Sequence, residues 1–261
     1  FRDRFGIRPI YFTVDKKRGK FLFASEIKTI LLISEQEHKI SKKALAQTAM
    51  FWTIIGQQTS FEKINLLPSS HYLVIDKNLN LSVHVYENIF SKRKTYNKEI
   101  NLFEILKDSV KSQIFGEVGF CSYLSGGIDS SVIAYLLKKI TKEKIDTFSI
   151  SFKDKSYDES DAQQIMSKFL NTNHYTLKIT KTDIPDNFNK MIEHAETHVF
   201  RTAPVPMYLL SKFVKSKGHK VFFSGEGADE ILFGYDIFFE TKIRKFWSKD
   251  INSKIRFLLF K

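Results

Sequence analysis

Residues 118–131 read VGFCSYLSGGIDSS. From Val118 to Leu124 the run is almost wholly apolar and lacks the alternation of a half-exposed strand, which predicts a strand covered on both faces. Ser125-Gly126-Gly127-Ile128-Asp129-Ser130-Ser131 follows, and from Asp129 to Ile140 apolar residues recur at helical spacing. Two glycines let the backbone turn tightly and bring N–H groups close to an anion. The helix start adds partial positive charge, and the hydroxyls of Ser125, Ser130 and Ser131 can donate to phosphate oxygens. A capped strand-to-helix turn uses the same residue types on local grounds alone. The pattern is neither G-x-x-x-x-G-K-[ST] nor G-x-G-x-x-G, so ordinary phosphate-transferring and dinucleotide folds are disfavoured.

Downstream, strands and helices alternate. Thr147–Phe152, Asn173–Ile179 and Lys220–Ser224 read as strands, and residues 159–170 and 205–217 as helices, the latter ended by Gly218. Buried strands separated by helices imply parallel βαβ crossovers, hence an α/β fold with a doubly wound parallel sheet whose ligands lie beyond the carboxyl ends of the strands. A second glycine loop, Ser224-Gly225-Glu226-Gly227-Ala228-Asp229-Glu230, stands at such an end. Three carboxylates within five residues repel one another unless a cation offsets them, and Mg²⁺ shared by Asp129 and Asp229 is the economical partner. An acidic surface turn is the competing reading.

Upstream the pattern is mostly β. PIYFTV (9–14) and KFLFA (20–24) predict a hairpin, residues 26–33 a short helix, and HYLVID (71–76) with LSVHVY (81–86) a second hairpin. After the polar stretch 91–98, residues 100–115 predict an amphipathic helix, so a domain boundary is placed near residue 95. The chain of 261 residues, 43% of them hydrophobic, is long enough for one large domain or two small ones. Its single cysteine, Cys121, excludes an internal disulfide, and it lies inside a strand that predicts a core position. No apolar run is long enough to span a bilayer and no secretion signal is seen, which predicts a soluble, cytoplasmic chain without membrane partners. The 41 basic and 29 acidic side chains leave +12, but the lysines are scattered, and the densest patches (Lys16, Lys17, Arg18; Lys92, Arg93, Lys94) border turns. They predict a solvated basic surface with no nucleic-acid partner. His194 and His198, at i and i+4, lack the H-E-x-x-H pattern of zinc sites.

SGGIDSS, TFSISF, YDESDAQQ, RTAPVPMYLLS and SGEGADEILFGY, in this order, resemble the synthetase domain of glutamine-dependent asparagine synthetases, an ATP pyrophosphatase branch with adenine nucleotide alpha-hydrolase-like fold. FRDRFGIRPIYF, FASEIKTILL and FEKINLLPSSHYLVID resemble the closing part of the class II glutaminase domain that precedes it in that family. The resemblance implies two domains: residues 1–94 as the C-terminal part of a glutaminase domain, and 95–261 as the N-terminal part of a synthetase domain. It implies that Leu124, Ser125, Gly126, Gly127, Asp129, Ser130 and Ser131 hold ATP, that Ile150 lines the adenine pocket by its backbone, and that Ser224 and Gly225 touch the nucleotide. Asp129 and Asp229 would bind Mg²⁺, and Glu226 would accept the proton of attacking ammonia. Arg201 and Thr202 would lie in the substrate-proximal region.

The reaction so implied is ATP-dependent amidation of aspartate through a β-aspartyl-adenylate. Glutamine or ammonia supplies the nitrogen, and a homodimer is the assembly the family allows. The family's N-terminal cysteine nucleophile lies upstream of the segment matching Phe1–Phe12. The chain is therefore expected to be an interior fragment, inactive alone. A related amidotransferase, a β-lactam-synthetase-like ligase for another carboxylate, and a tRNA-modifying ATP pyrophosphatase are the alternative readings.

Overall fold

The computed structural model describes residues 1–88, 100–250 and 252–253. The boundary expected near residue 95 and the patch Lys92, Arg93 and Lys94 lie outside the described residues. The chain divides into two compact units, Phe1–Ile100 with Lys181–Leu209, and Asn101–Thr180 with Leu210–Lys261. A boundary read along the sequence does not anticipate the return of 181–209 to the first unit.

In the first unit, β1 (Tyr11–Asp15) and β2 (Lys20–Ala24) form the expected antiparallel hairpin, with Phe12 opposite Phe23. Helix α1 (Ile27–Ile33) follows and buries Ile27 and Ile30 against Ile64. Helix α2 (Lys42–Phe51) was not anticipated from the sequence: Ser41 caps it by accepting from Ala44 N at 3.2 Å, and it ends at Trp52 in the left-handed conformation (φ 62°). A two-residue strand β3 (Asn65–Leu66) pairs with the other edge of β1, giving the order β2-β1-β3. β4 (His71–Ile75) and β5 (Leu81–Val85) form the second hairpin.

The second unit opens with α3 (Leu102–Gln113), capped by Asn101, which accepts from Glu104 N. It continues through β6 (Phe120–Tyr123), α4 (Ile128–Thr141), β7 (Asp146–Phe152), α5 (Ser160–Leu170) and β8 (Asn173–Ile179). The chain then returns to the first unit as α6 (Asp183–Ala195) and passes through α7 (Pro204–Ser216). It closes the second unit with β9 (Val221–Phe223), α8 (Ala228–Leu232) and α9 (Asp236–Trp247).

The sheet of the second unit is parallel, as expected, in the order β8-β7-β6-β9. Side chains alternate across β6 as strand geometry requires. Cys121 and Tyr123 cluster with Phe148 and with Leu210 and Val214 of α7. Phe120 packs instead with Leu136 and Leu137 of α4, and Leu124 with Ala134 and Leu170 of α4 and α5. Helices thus cover both faces. Because β7 and β8 extend the sheet to one side of β6 and β9 to the other, strand order reverses between β6 and β9, the position at which open α/β sheets bind ligands.

Candidate functional site

The loops after β6 and β9 leave the sheet at this reversal. Leu124 N donates to Phe148 O (2.9 Å), extending the ladder one residue past β6, and the chain then turns. Gly126 adopts φ +92°, where a side chain is strained, and a Cβ there would stand 2.9 Å from Ala162 Cβ and 3.2 Å from Gln163 N of α5. Ser130 ties the loop together: its Oγ accepts from Ser125 N (3.1 Å) and donates to Gly127 O (3.2 Å). Ser125 Oγ lies 2.9 Å from Ser130 Oγ and accepts from Gly127 N at 3.3 Å. The buried Ser130 hydroxyl therefore shapes the loop from within. No side chain caps α4, whose Ncap is Gly127, and such a helix start offers N–H donors and partial positive charge to an anion.

The second loop abuts the first. A Cβ on Gly225 would lie 2.7 Å from Asp129 Cβ and 2.8 Å from Ser130 N, so glycine permits the approach of Ser224-Gly225 to the first turn of α4. Glu226 N donates to Ser224 Oγ (3.4 Å), Gly227 turns at φ +90°, and Ala228 N donates to Gly225 O (3.2 Å) as α8 begins. Glu226 is exposed and Asp229 half-buried. Gly234 folds over Asp229, donating its N–H to Asp229 O at 3.0 Å. Glu230 turns aside to accept from Tyr235 Oη at 3.0 Å.

Two residues that sequence reasoning did not single out complete the surroundings. Gln163 is 3% exposed, and its Nε2 donates to Ile150 O at 3.0 Å while its Oε1 is buried without a hydrogen-bond partner. It braces the end of β7, at the residue expected to line an adenine pocket, from beneath Gly126. Asp158 accepts from Phe152 N (3.0 Å) and Ser160 Oγ (2.6 Å). These bonds, chiefly the one from Ser160, hold its carboxyl below the ordinary carboxylate range. The signal for Asp158 was its place before a helix start, whereas Gln163 falls at a helix position that an apolar-face search ignores.

Leu124, Ser125, Gly126, Gly127, Asp129, Ser130, Ser131, Ile150, Ser224, Gly225, Glu226 and Asp229 all belong to the second unit; Arg201 and Thr202 belong to the first. Among the described residues no group of three or more His, Cys, Asp or Glu converges as a metal site. Asp129 and Asp229 carry the hard oxygen donors that Mg²⁺ takes, and the Asp229 carboxylate lies against Gly234. His194 and His198 do not share a helix face, because α6 ends at Ala195 and Glu196 turns left-handed; the His194 ring lies against that of Tyr208, tilted by 34°. Cys121 is fully buried, as expected. Burial, with a smaller effect from the charge of Asp146, pushes its thiol up to about 12. No helix is long and apolar enough to cross a membrane among the described residues.

Comparison with known proteins matches residues 1–87 to the glutamine amidotransferase domain family. Asparagine synthetase [glutamine-hydrolyzing] 1 of Bacillus subtilis is 28% identical over 242 residues, which cover 92% of this chain and 38% of that protein. Asparagine synthetase B [glutamine-hydrolyzing] of Escherichia coli is 29% identical over 249 residues, covering 90% and 40%. The chain thus spans about two fifths of the length of these relatives. Among solved structures, NH3-dependent NAD synthetase from Campylobacter jejuni aligns at 20% identity with a TM-score of 0.36, over 51% of this chain and 58% of that one. The asparagine synthase family matches residues 101–258, well over half of the chain and including both glycine loops, and the chain belongs to that family.

Proposed function

We propose that the protein amidates aspartate to asparagine at the expense of ATP, through a β-aspartyl-adenylate, with ammonia drawn from glutamine. Residues 1–94 belong in this reading to the glutaminase half and 95–261 to the synthetase half. The observation that carries it is the approach of Gly225 to Asp129 and Ser130 at the uncapped start of α4, which joins two glycine loops at the reversal of strand order.

A carboxylate is a poor acyl donor. In the reaction proposed, an oxygen of the aspartate β-carboxylate attacks the α-phosphorus of ATP and pyrophosphate leaves; the nitrogen of ammonia then attacks the acyl carbon and AMP leaves. Leu124, Ser125, Gly126, Gly127 and Ser131 surround the pyrophosphate with N–H and O–H donors, and Ser130 holds their loop in shape. Preorganised donors of this kind stabilise charge without reorganising at the moment of reaction. Ile150 meets adenine through its backbone, its carbonyl set by Gln163, and Ser224 and Gly225 close on the nucleotide. Asp129 and Asp229 would hold Mg²⁺, which when bound would supply positive charge to offset that of the leaving pyrophosphate. Glu226, exposed at the tip of its loop, takes the proton released as the amide forms. Arg201 and Thr202 act near the acceptor.

The test is ATP–pyrophosphate exchange by the intact protein with a panel of carboxylic acids. Exchange that depends on aspartate supports the assignment. Exchange dependent on a different acid moves the protein to a related ligase, and exchange with none overturns the adenylation chemistry.

A further inference from the structure

Among the described residues, Gln163 Oε1 is the one buried side-chain oxygen or nitrogen with no hydrogen-bond partner. A buried acceptor without a donor costs free energy that an apolar side chain of similar shape would recover. Turning the amide over gives no relief, because Oε1 would then face the Ile150 carbonyl, acceptor against acceptor. Packing alone therefore does not favour glutamine here. What sets it apart from an apolar residue is Nε2, which donates to Ile150 O at 3.0 Å.

That bond stands where a backbone bond is missing. Leu124 N donates to Phe148 O (2.9 Å) as β6 ends, and carbonyls two residues apart on a strand face the same edge. Ile150 O thus faces the gap left where the chain turns into Ser125-Gly126-Gly127, and Gln163 Nε2 takes the place of the absent donor. Two residues further along this edge, Phe152 N donates to Asp158 Oδ1 at 3.0 Å. The Ile150 side chain packs against the core of Cys121, Tyr123 and Phe148, so its backbone is what it presents to a ligand. The first turn of α5 also lies against the loop, since a Cβ on Gly126 would stand 2.9 Å from Ala162 Cβ and 3.2 Å from Gln163 N. One turn of helix supports both the loop and the open edge of β7, all within the second unit.

We propose that Gln163 is a positioning residue, kept at a cost in stability, that fixes the direction of the Ile150 carbonyl and through it the choice of purine. A carbonyl oxygen has two lone pairs, so Ile150 O can accept from Gln163 and from the amino group that adenine carries at C6. Guanine carries a carbonyl there, and two acceptors brought together on a fixed edge repel, which refuses the base. This rests on the reading of Ile150 as the residue that meets the base.

The experiment uses the intact protein with Gln163→Met and Gln163→Leu, two apolar side chains of similar volume. Pyrophosphate exchange is measured against ATP, GTP and aspartate concentration, alongside melting temperature. Both variants are expected to keep or raise the melting temperature, because the orphaned acceptor is gone. KM for ATP should rise about tenfold and the preference for ATP over GTP should fall about tenfold, the scale of one hydrogen bond, with KM for aspartate unmoved. A wild type that prefers ATP, with variants that share its preference and its KM for ATP, overturns this role alone. A lowered melting temperature in both variants overturns the cost in stability and returns Gln163 to a packing role. A wild type that uses ATP and GTP equally overturns the reading of Ile150 and this role with it.

Discussion

Gly225 is held against Asp129 so closely that a Cβ on the glycine would stand 2.7 Å from Asp129 Cβ. The other near atoms, Ser130 N at 2.8 Å and Asp129 C at 2.9 Å, are backbone of α4's first turn and cannot swing aside as the end of a flexible side chain could. Two loops separated by a hundred residues are thus forced to share one place, and glycine is what lets them.

Gly225→Ala is therefore expected to push the second loop off the start of α4. The cost is about 1–3 kcal/mol of stability, the usual range for overpacking, and ATP affinity should fall as well. Calorimetric titration with ATP and a melting curve check both. Gly227→Ala is the control: its φ of +90° makes the substitution strained, but no atom stands within 4 Å of the added Cβ. Equal ATP affinity in Gly225→Ala and wild type would separate the loop junction from the nucleotide site.

Asp129→Asn and Glu226→Gln are expected to fail at different steps. Asp129 lies in the first turn of α4 beside the junction, whereas Glu226 is exposed between two glycines. In the intact protein the first substitution should depress pyrophosphate exchange and asparagine formation together. The second should spare exchange and lower asparagine yield by about 10²–10⁴-fold, the range for losing a general base. Equal losses in both assays for Glu226→Gln would assign it to adenylation.

Much of this was legible because burial leaves a mark on strands. The near-continuous apolar run ending in Leu124 and the glycine loops at two strand ends located β6 and β9, whereas the strand order that puts a reversal between them was not read from the sequence. What stayed hidden followed from residues whose partners are distant in sequence. In α5 the buried stripe is Gln163, Ser167 and Leu170, while Ile165 and Phe169 are exposed, so hydrophobic periodicity locates the helix but misreads its inner face. Nothing in HAETHVFRT shows that Glu196 caps a helix beginning at Ile27. The three-residue β9 was expected to be buried, yet Val221 and Phe222 are each 44% exposed, because the strand lies at the sheet edge.

Cys121 is expected to resist thiol reagents in the folded protein. Its Sγ is buried and 3.6 Å from Val221 O, and with its pKa near 12 almost no thiolate exists at pH 8. Ellman's reagent should react only upon unfolding, so the labelling rate in graded urea should track loss of secondary structure. Prompt labelling of native protein would mean that β6 opens locally.

His174 gives the second unit an acid-sensitive element. Its Nδ1 lies 2.9 Å from Thr147 Oγ1 and its Nε2 3.1 Å from Ser149 Oγ; Thr147 Oγ1 also meets Thr172 Oγ1 at 2.8 Å, and Thr172 meets Ser167 Oγ at 3.1 Å. The neutral ring can donate through one nitrogen and accept through the other. Burial among these hydroxyls holds the imidazole below its ordinary value of 6.5. Between the lowered value and 6.5 the unfolded chain binds more protons than the folded one, so stability rises with pH across that window and falls on acidification through it. Well above 6.5 the ring is neutral in both states and the contribution is flat. The slope from this one group cannot exceed about 1.4 kcal/mol per pH unit. Substitution of His174→Gln removes the titration while retaining a donor and an acceptor. Urea unfolding of both proteins at half-unit steps from pH 5 to 8 should give curves that run parallel at the alkaline end and converge towards acid, as the wild type loses stability that the variant keeps. Parallel curves throughout would mean that His174 takes its proton as easily in the folded chain as in the unfolded one.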